Sequence, residues 1–497
     1  MAAEVSFGRR LTDLAAQFGD RIAITLAKQD GTEDTLSWAD LERWSNRTAR
    51  LLAAKGVDAE TMVCIGIWNT LEHYAAAYGA WKLGACTLPL SPRMPDIEFD
   101  GITGLVARKL VIADRPGAAL GLADLTALRH GGRDDSPLPD ITPHPGKAIG
   151  SGGSTGRSKI IVDPKPWARV PGDRAHQPGN VAFRTGQVQL VAGPLYHNSP
   201  FSWGHSGLFD EHHLVVLERF DAARAVAMIE KYRCQFMFLA PTMMQRIVRL
   251  PDIESRDLSS IECVYQTAAP CPPWLKRRWM ELTAPEKLME GFGATEAVGS
   301  CRIRGDEWLQ HPGSVGRPAN AELRILDEDL NELPQGEVGE IYMRPFVHPE
   351  PTYRYIGAPP AKTTPEGFVS VGDMGYVDPQ GYLFLSDRRV DLIIRGGANI
   401  YPAEVEAALS EHPDVADVAV IGIPHDELGK TVHAIIEHRP GTTPDEPALR
   451  AWMKPRLTSY KLPESYEFMP ALPRDPSGKI RRSQLARERE TLKATAP

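Results

Sequence analysis

Alternating strand and helix patterns in the first hundred residues restrict the fold of this chain more than any other feature. Val63–Ile67 is a short apolar run, Leu71–Leu83 has helical spacing and stops before Gly84, and Cys86–Leu90 is apolar and extended again. Two strands joined by a helix form a βαβ unit, whose strands are parallel. The sequence therefore predicts an α/β fold.

The same alternation continues, and 497 residues are too many for one compact core. Further strands are predicted at 187–192, 214–217, 236–239 and 263–265, and further helices at 222–232 and 241–250. Short strands and turns after Gly339 predict a β-rich subdomain. Beyond it, helices at 402–410 and 446–456 and strands at 415–423, 431–437 and 466–469 predict a small α+β domain. We expect a large N-terminal domain over 1–387 and a small mobile domain over 388–497.

Composition excludes some classes of function. The net charge is −8, and no basic stripe or aromatic-studded basic patch is present, so nucleic acid is not an expected partner. The six cysteines are far apart and lack metal-ligand spacing, which favours reduced, mostly buried thiols. No apolar run approaches the roughly 20 residues of a membrane span, and the first residues do not resemble a signal peptide. We therefore expect a cytoplasmic protein.

A glycine-rich segment, Ser151–Lys159, suits phosphate binding. It contains three glycines and four hydroxyl residues beside Arg157 and Lys159. Backbone N–H groups and hydroxyls can surround a polyphosphate while the two cations offset its charge. A flexible linker is the alternative for such a segment. It lacks the Walker A spacing, which disfavours nucleotide kinases and ATPases of that type.

Four further segments follow in order: Gly291–Glu296, Val371–Gly375, Asp387–Asp391 and Pro476–Lys479. Each alone is a weak signal, but the five in this order indicate nucleotide activation of a carboxylate. Together they resemble the adenylate-forming superfamily of acyl-CoA synthetases, luciferases and nonribosomal-peptide adenylation domains, over nearly the whole chain. Ser151–Gly156, Tyr196–Asn198 and Ala269–Trp274 are most similar to acyl-CoA synthetases described as bile-acid-CoA-ligase-like.

The resemblance implies an ATP site. Its residues would be Ser151, Gly153, Ser154, Thr155, Gly156, Lys159, Ala268, Ala269, Pro270, Gly291, Phe292, Gly293, Thr295, Asp373 and Arg388. Phe292 would stack on adenine, Thr295 would lie near the α-phosphate, and Asp373 would bind the ribose with Arg388 nearby. The alternatives are a core aromatic residue at Phe292 and a turn aspartate at Asp373.

The chain departs from the family pattern at five positions. Gly152 and Ser158 stand in the glycine-rich segment, Phe292 replaces tyrosine, Thr267 replaces glycine, and Val390 stands at the expected hinge. Loss of a hydroxyl at Phe292 leaves the ring face available for stacking. The substitutions in the glycine-rich segment leave its backbone N–H groups in place, so we expect a looser loop with the same role.

The catalytic residues implied by the resemblance are Lys479, Glu296, Thr155 and His197. Glu296 and Thr155 would hold Mg²⁺, for which a carboxylate is a suitable ligand. Lys479 would stabilise negative charge that develops when the acid attacks the α-phosphorus. A rotation of the small domain would then remove Lys479 and form a CoA tunnel at Gly396 and Gly397, where glycine permits close approach of the pantetheine arm.

The acid pocket is predicted from the segment that follows Pro194. His197 would lie at the carboxylate, and Phe201, Trp203, Tyr265 and Thr267 would line an apolar cavity, with His205 nearby. This composition favours a bulky apolar acid of the fatty, aromatic or steroid type. No acidic residue stands in the 198–204 stretch, which disfavours an amino acid as the substrate. A satisfied core histidine is the alternative for His197.

These observations predict an ATP-dependent acid–CoA ligase that uses ATP, Mg²⁺ and coenzyme A and forms acyl-CoA through an acyl-adenylate. The alternatives are a ligase that loads the pantetheine of a carrier protein, a non-catalytic nucleotide-binding regulator and a luciferase-like oxygenase. The expected partners are a small carboxylic acid and CoA. The oligomeric state is left open, with a homodimer as one option.

Overall fold

The computed structural model describes residues 3–131, 134–152, 158–173, 182–346, 352–388, 391, 393–395, 398–425, 428–474, 480 and 482–494. The strands are β1 Val5–Ser6, β2 Ile22–Ala27, β3 Glu33–Ser37, β4 Met62–Gly66, β5 Cys86–Pro89, β6 Lys109–Ala113, β7 Lys147–Gly152, β8 Ser158–Asp163, β9 Ala168–Arg169, β10 Val188–Val191, β11 His213–Leu217, β12 Phe236–Leu239, β13 Cys263–Gln266, β14 Leu288–Gly293, β15 Ser300–Arg304, β16 Ser314–Pro318, β17 Ala321–Leu326, β18 Gly339–Pro345, β19 Arg354–Ile356, β20 Val369–Val377, β21 Leu383–Arg388, β22 Ile393–Arg395, β23 Ala398–Ile400, β24 Val415–His425, β25 Gly429–His438 and β26 Ser465–Met469.

The helices are α1 Phe7–Phe18, α2 Trp38–Ala54, α3 Leu71–Trp81, α4 Asp96–Gly104, α5 Leu122–Thr126, α6 Asn198–Phe209, α7 Ala222–Tyr232, α8 Pro241–Val248, α9 Pro273–Leu282, α10 Gly305–Trp308, α11 Pro402–Ser410, α12 Glu446–Met453 and α13 Arg482–Ala494. Local sequence explains several of their starts. The Ser37 hydroxyl caps α2 by accepting from the Asp40 N–H at 3.1 Å. Pro241 and Pro402 occupy the first positions of α8 and α11, where a missing N–H costs nothing.

A sheet of 13 strands runs through the large domain in the order β17-β18-β20-β21-β16-β15-β14-β13-β12-β10-β11-β2-β3. Its centre, from β14 to β2, is parallel, as the alternating pattern predicts. At the other end of the sheet, the strands β15, β16, β21, β20, β18 and β17 follow one another and pair antiparallel. The strands assigned to a β-rich subdomain therefore extend the main sheet, since β16 pairs with both β15 and β21.

A second sheet of six strands, in the order β19-β8-β7-β5-β4-β6, contains the predicted βαβ unit. β4 is parallel to both β5 and β6, and β7 is parallel to β5. β8 returns antiparallel to β7, and β19 pairs antiparallel with β8. β7 leads into the glycine-rich segment, and its residues Ala148 and Ile149 are buried.

The C-terminal part has its own five-stranded sheet, with β23, β22, β25 and β24 in order and β26 parallel to β25. Thirteen buried residues, including Val405, Leu409 and Leu449 from two helices, form its core. This is the predicted α+β arrangement. Strands β22 and β23 open the unit, and α13 packs on β24.

Buried apolar clusters join the two large sheets. α1, α2 and α3 fill the space between them, with Trp38, Trp44 and Trp81 at most 1% exposed. All six cysteines are buried free thiols, as expected. Within the described part of the chain, no helix is both long enough and apolar enough to cross a membrane.

Candidate active site

The glycine-rich segment connects two antiparallel strands. Ser151 pairs with Lys159 and Gly152 with Ser158, so β7 and β8 bring the two ends of the segment together. Backbone N–H groups of a glycine-rich connection between two strands can converge on an anion. The predicted phosphate-binding residues Gly153, Ser154, Thr155 and Gly156 lie outside the described residues.

Lys159 and Glu296 meet in space although they are 137 positions apart. The Lys159 ammonium lies 3.4 Å from Glu296 Oε1 and 3.8 Å from the centroid of the Tyr355 ring. The Tyr355 hydroxyl donates to the same Oε1 at 2.6 Å. The Thr352 hydroxyl donates to the Glu296 backbone oxygen at 2.7 Å. The Glu296 side chain and backbone are therefore both held beside the glycine-rich segment.

The electrostatics of this cluster suit a phosphate and a divalent cation. The side chains of Lys159 and Glu296 are 22% and 17% exposed, so their charges are only partly screened by water. Burial and the hydrogen bond to Glu296 raise the pKa of Tyr355, which keeps its hydroxyl a donor. One carboxylate next to bound phosphates is a donor set that Mg²⁺ commonly uses. No group of three or more histidine, cysteine, aspartate or glutamate side chains forms a metal site by itself among the residues with assigned positions.

Three predicted parts of the ATP site rest on one apolar cluster. Ile161 of β8, Phe292 of β14 and Val371 of β20 all pack in it, together with Tyr355. The proposed phosphate-binding hairpin, the proposed adenine strand and the proposed ribose strand therefore pack on the same apolar cluster. Asp373 is half-buried, and its register partner on β21 is Arg388.

The ends of two neighbouring parallel strands bring the proposed adenine-binding residues together. β13 pairs with β14, with Gln266 opposite Glu290. The next residues on the two strands are therefore adjacent: Thr267, Ala268, Ala269 and Pro270 on one, and Gly291, Phe292 and Gly293 on the other. The Gln266 amide donates to the Ala269 oxygen at 2.9 Å, and Ala268 has a φ of 80°. Phe292 and Thr295 are half-buried.

Gly291 is required by the side chain of Tyr265. A Cβ atom at position 291 would collide with the Tyr265 hydroxyl and ring. Tyr265 is 6% exposed and stacks on Phe238 with ring centroids 5.1 Å apart. The aromatic ring therefore lies against the backbone of the proposed adenine strand.

His197 is the residue before α6, at its N-cap position. The loop that carries it is fixed by Asn69, which donates to the oxygens of Gly193 at 2.9 Å and Leu217 at 3.0 Å. The Asn69 oxygen also accepts from the Leu195 N–H at 2.8 Å. Asn69 thus joins the end of β4 in the six-stranded sheet to β10 and β11 in the larger sheet.

A buried lysine supports the residues next to His197. The Lys147 ammonium donates to Asn198 Oδ1 at 2.9 Å and to Ser202 Oγ at 3.1 Å. Lys147 is only 9% exposed, and Asp163 lies 3.9 Å from its ammonium. The first turn of α6 is therefore tied to the beginning of β7, the strand that leads into the glycine-rich segment.

The structure separates the predicted acid-pocket residues into two groups. Trp203 contacts Tyr265 and Phe238, with ring centroids 5.4 and 6.0 Å apart. Phe201, which is fully buried, packs instead against Trp81 and His205 in the core beside α3. Residues two positions apart point in different directions on a helix. Phe201 is thus not in the same group as Trp203 and Tyr265.

His205 belongs with Phe201. It is fully buried, and burial lowers its pKa to about 4, so the ring is neutral at physiological pH. Its Nδ1 lies 2.8 Å from the Phe201 oxygen. His205 is therefore a buried core histidine. His197, for which a core histidine was the alternative prediction, is only half-buried at the start of the helix.

Three predicted residues of the C-terminal part, Gly396, Gly397 and Lys479, lie outside the described residues. Their roles stay predictions.

The sequence reasoning missed Tyr355, Thr352, Lys147 and Asn69. Tyr355 and Thr352 stand in a stretch without a recognisable motif, and only the pairing of β19 with β8 brings them to Glu296. Asn69 did carry a signal, because it stands three residues after the end of the buried parallel strand β4, and polar residues that follow such strands often lie at the ligand-binding edge of a sheet.

Comparison with known proteins agrees with this geometry. A family model described as "AMP-binding enzyme" matches residues 11–142 and 151–345. A second model, "AMP-binding enzyme C-terminal domain", matches residues 404–479. The two matches together extend over most of the chain.

Relatives in sequence and structure cover nearly all of the chain. A feruloyl-CoA synthase from an Amycolatopsis species is 31% identical over 93% of this chain and 95% of its own. The fatty acid–[acyl-carrier-protein] ligase ScoC from Streptomyces coeruleorubidus is 28% identical over 91% of each chain. The o-succinylbenzoate CoA synthetase MenE from Bacillus subtilis, in complex with its acyl-adenylate intermediate, superposes with a TM-score of 0.80 at 25% identity, over 97% of this chain and 98% of its own.

Proposed function

The chain belongs to the AMP-binding enzyme family of adenylate-forming enzymes, and we propose that it joins an apolar carboxylic acid to coenzyme A. The resemblance seen in the sequence is thereby confirmed at the level of the superfamily, as is the assignment to AMP-forming ligases. In the proposed reaction, ATP and the acid give acyl-AMP and pyrophosphate, and acyl-AMP and CoA then give acyl-CoA and AMP.

The observation that carries the proposal is the contact of Lys159, Glu296 and Tyr355 next to the glycine-rich segment. It places a cation and a carboxylate together where the segment can hold a polyphosphate. The carboxylate is oriented by a hydroxyl donor and by the ammonium, so it does not need to reorganise when a charged substrate binds.

In the first half-reaction, a carboxylate oxygen of the acid attacks the α-phosphorus of ATP, and the bond to the pyrophosphate oxygen breaks. Negative charge develops on the phosphate oxygens. Lys159 would offset charge on the phosphates, and Thr295 would lie by the α-phosphate. Glu296 and Thr155 would hold Mg²⁺, which when bound would supply Lewis-acid stabilisation of that charge. Lys479, by resemblance, would add a second cation.

In the second half-reaction, the CoA thiol loses its proton, its sulfur attacks the acyl carbonyl carbon, and the bond to AMP breaks. Gly396 and Gly397 would line the path of the pantetheine arm, as the resemblance implies. This requires Lys479 to move away from the adenylate, a rigid-body change that a separately folded C-terminal domain makes feasible.

The class of acid is proposed from Trp203 and Tyr265. Their rings pack with Phe238 in one aromatic cluster, and Thr267 follows at the end of β13. A flat apolar group can pack against the half-buried Trp203 ring of this cluster. We therefore expect an aromatic or ring-bearing acid to be preferred over an amino acid. His197, at the start of α6, would lie near the carboxylate.

The test is incubation of the protein with Mg-ATP, CoA and a panel of fatty, aryl and steroid acids, followed by mass spectrometry for AMP and acyl-CoA. Formation of a thioester with one class of acid supports the proposal. Glu296→Gln is expected to lower the rate of acyl-AMP formation about 100-fold or more, since it removes the carboxylate that would hold Mg²⁺ next to the developing negative charge. Unchanged AMP production by Glu296→Gln would contradict the assignment.

A second candidate is transfer of the acyl group to the pantetheine of a carrier protein. It is favoured by the similarity to the acyl-carrier-protein ligase over 91% of the chain. Acyl-AMP without thioester in the presence of CoA, and a thioester with a pantetheinylated carrier protein, would establish this reaction instead.

We also propose that the enzyme acts in the cytoplasm. Its six cysteines are buried free thiols, and free thiols are typical of proteins in that reducing compartment.

A further inference from the structure

A lysine occupies the first position of β7, where its side chain is almost completely buried. Lys147 is 9% exposed, and the Asp163 carboxylate lies 3.9 Å from its ammonium. A buried ammonium loses its hydration, and an apolar side chain at the same position would avoid that loss. Lysine is therefore an unfavourable residue for stability here, and the partners of its ammonium indicate what it does instead.

The backbone beside Lys147 is held firmly in place. The Gly146 oxygen accepts a hydrogen bond from the Thr87 N–H at 3.1 Å and another from Trp81 Nε1 at 2.9 Å. Lys147 is itself the register partner of Thr87 on β5. A Cβ atom on Gly146 would collide with the Trp167 side chain, so the chain is closely packed at this point. The Lys147 side chain therefore starts from a fixed position in the six-stranded sheet.

The ammonium contacts two residues of α6 that lie one turn apart. It donates to Asn198 Oδ1 at 2.9 Å and to Ser202 Oγ at 3.1 Å. Ser202 Oγ in turn donates to Asn198 Oδ1 at 3.1 Å. Residues four positions apart lie on the same face of a helix, one above the other. Because both contacts are on one face, they oppose rotation of α6 about its own axis.

The rotation of α6 decides where the Trp203 ring lies. Phe201 and His205, on a second face of the helix, pack in the core with ring centroids 4.3 Å apart. Trp203 follows Ser202 and projects about 100° further around the axis. Its half-buried ring lies 5.4 Å from the ring of Tyr265, centroid to centroid. Rotation of α6 would therefore move the Trp203 ring relative to Tyr265.

We propose that Lys147 is a positioning residue for acid selection, because it holds α6 in the rotation that places Trp203 beside Tyr265. The inference rests on the proposed function, in which Trp203 lines the acid pocket. A rigid ring gains most from a surface that is already fixed before binding, whereas a flexible chain adapts to a surface that moves. Lys147 thus favours ring-bearing acids over straight-chain acids.

The positioning of α6 is tested by hydrogen exchange of the full-length protein, followed by mass spectrometry. Lys147→Met is expected to speed exchange of the α6 amides about 10-fold, as for loss of a hydrogen bond from a charged group. Lys109→Met is the matched control, because Lys109 is the exposed first residue of β6 in the same sheet. Equal exchange in the two variants would overturn the proposal. Thermal unfolding checks that each variant is folded, and Asn198→Ala, which removes one of the two contacts, replaces Lys147→Met if that variant does not fold.

Acid selection is tested by calorimetric titration with cinnamic acid and with nonanoic acid, which have the same number of carbon atoms, in the presence of a non-hydrolysable ATP analogue. The wild type is expected to bind cinnamic acid more tightly. Lys147→Met should lower the ratio of the two affinities about 10-fold, and Lys109→Met should leave it unchanged. In a Trp203→Leu background, Lys147→Met should change the ratio less than 2-fold, because Lys147 acts through that ring.

The outcomes separate this inference from the proposed function. Equal weakening of both acids by Lys147→Met would show a merely structural role and would overturn the inference, as would a wild type that binds neither acid. The same holds if Lys147→Met and Trp203→Leu have additive effects on the ratio. The titration requires no turnover, so a wild type that selects between the acids but forms no acyl-AMP contradicts the ligase activity alone.

Discussion

Glu296 is positioned by Lys159 of the glycine-rich segment and by two residues, Tyr355 and Thr352, that no sequence motif contains. Tyr355 and Lys159 both reach its Oε1 atom, and Thr352 holds its backbone. A carboxylate fixed in this way points toward the glycine-rich segment before any ligand arrives. We therefore regard Tyr355 as a positioning residue for the proposed cation-binding carboxylate.

Tyr355→Phe is expected to lower kcat/KM for ATP about 10-fold, because a hydrogen bond to a charged group contributes about 1.5 kcal/mol or more. The effect should be smaller than that of Glu296→Gln, since the carboxylate itself remains. Activity is measured as pyrophosphate release over a range of Mg²⁺ concentrations, and the variant should need more Mg²⁺. Tyr376→Phe, on β20, serves as the control. Equal activity of the two variants would argue against the positioning role.

At the scale of elements, two contacts determine how β14 carries the proposed adenine-binding residues. Tyr265 of β13 packs on the backbone of Gly291, and Lys276 of α9 pairs with Glu290. Both members of the ion pair are at most 9% exposed. β14 is thus fixed from its neighbouring strand and from a helix just before the chain reaches Phe292.

Gly291→Ala is expected to destabilise the protein by about 1–3 kcal/mol, because the new methyl group overlaps the Tyr265 ring. In the double variant with Tyr265→Ala, the cost should be less than the sum of the two single changes. Chemical unfolding monitored by tryptophan fluorescence measures the free energy of unfolding of the single variants and of the double variant. Gly101→Ala, where the added methyl group would have open space, is the control. If the losses of stability from the changes at 291 and 265 were additive, the overlap of the new methyl group with the Tyr265 ring would be relieved by movement elsewhere in the structure.

Lys276→Met is expected to cost about 3–5 kcal/mol, because it leaves the buried Glu290 carboxylate without its partner. Replacing both residues, as in Lys276→Met with Glu290→Leu, should cost less than the single change. Lys231→Met removes an exposed lysine that pairs with Glu33, and should cost far less stability than Lys276→Met because water screens the exposed pair. The measurement is again the unfolding midpoint. A Lys276→Met variant as stable as Lys231→Met would contradict this view of the pair.

At the scale of the whole molecule, buried histidines link folding to pH. Burial lowers the pKa of His73 to about 3 and those of His205, His212 and His213 to about 4, below the ordinary value of 6.5. The unfolded chain takes up protons at these sites as the pH falls below 6.5, and the folded chain does not. Their neutral forms thus favour the folded state above pH 6.5, and this contribution is lost toward pH 4.

The unfolding midpoint is expected to fall steeply between pH 6.5 and about pH 5, by an amount equivalent to about 1.4 kcal/mol per pH unit for each such histidine. His73→Phe removes one of these groups and should make the pH dependence shallower. Tyr74→Phe, at the neighbouring buried residue, should leave the slope unchanged, because burial raises the pKa of Tyr74 and its hydroxyl stays neutral over this range. Thermal unfolding at a series of pH values provides the comparison. A His73→Phe slope equal to that of the wild type would refute the assignment.

The α/β alternation, the bounds of most elements and the position of the separate C-terminal unit are readable from the sequence. The periods of apolar residues at 63–67, 71–83 and 222–232 report burial on one side of a local element, and burial is what forms it. The motif segments can be recognised in the sequence because a phosphate-binding loop requires glycines and hydroxyls close together along the chain, and the roles of their residues stay predictions.

Contacts between distant segments were decided by the tertiary structure. The pairing of β8 with β19 brings Tyr355 to Glu296, and the rotation of α6 sends Phe201 into the core while Trp203 faces Tyr265. Likewise, the strands after Gly339 join the main sheet through β16 and β21. The physical reason is that local sequence sets the periodicity of each element, whereas strand order and helix rotation depend on which apolar faces are buried together.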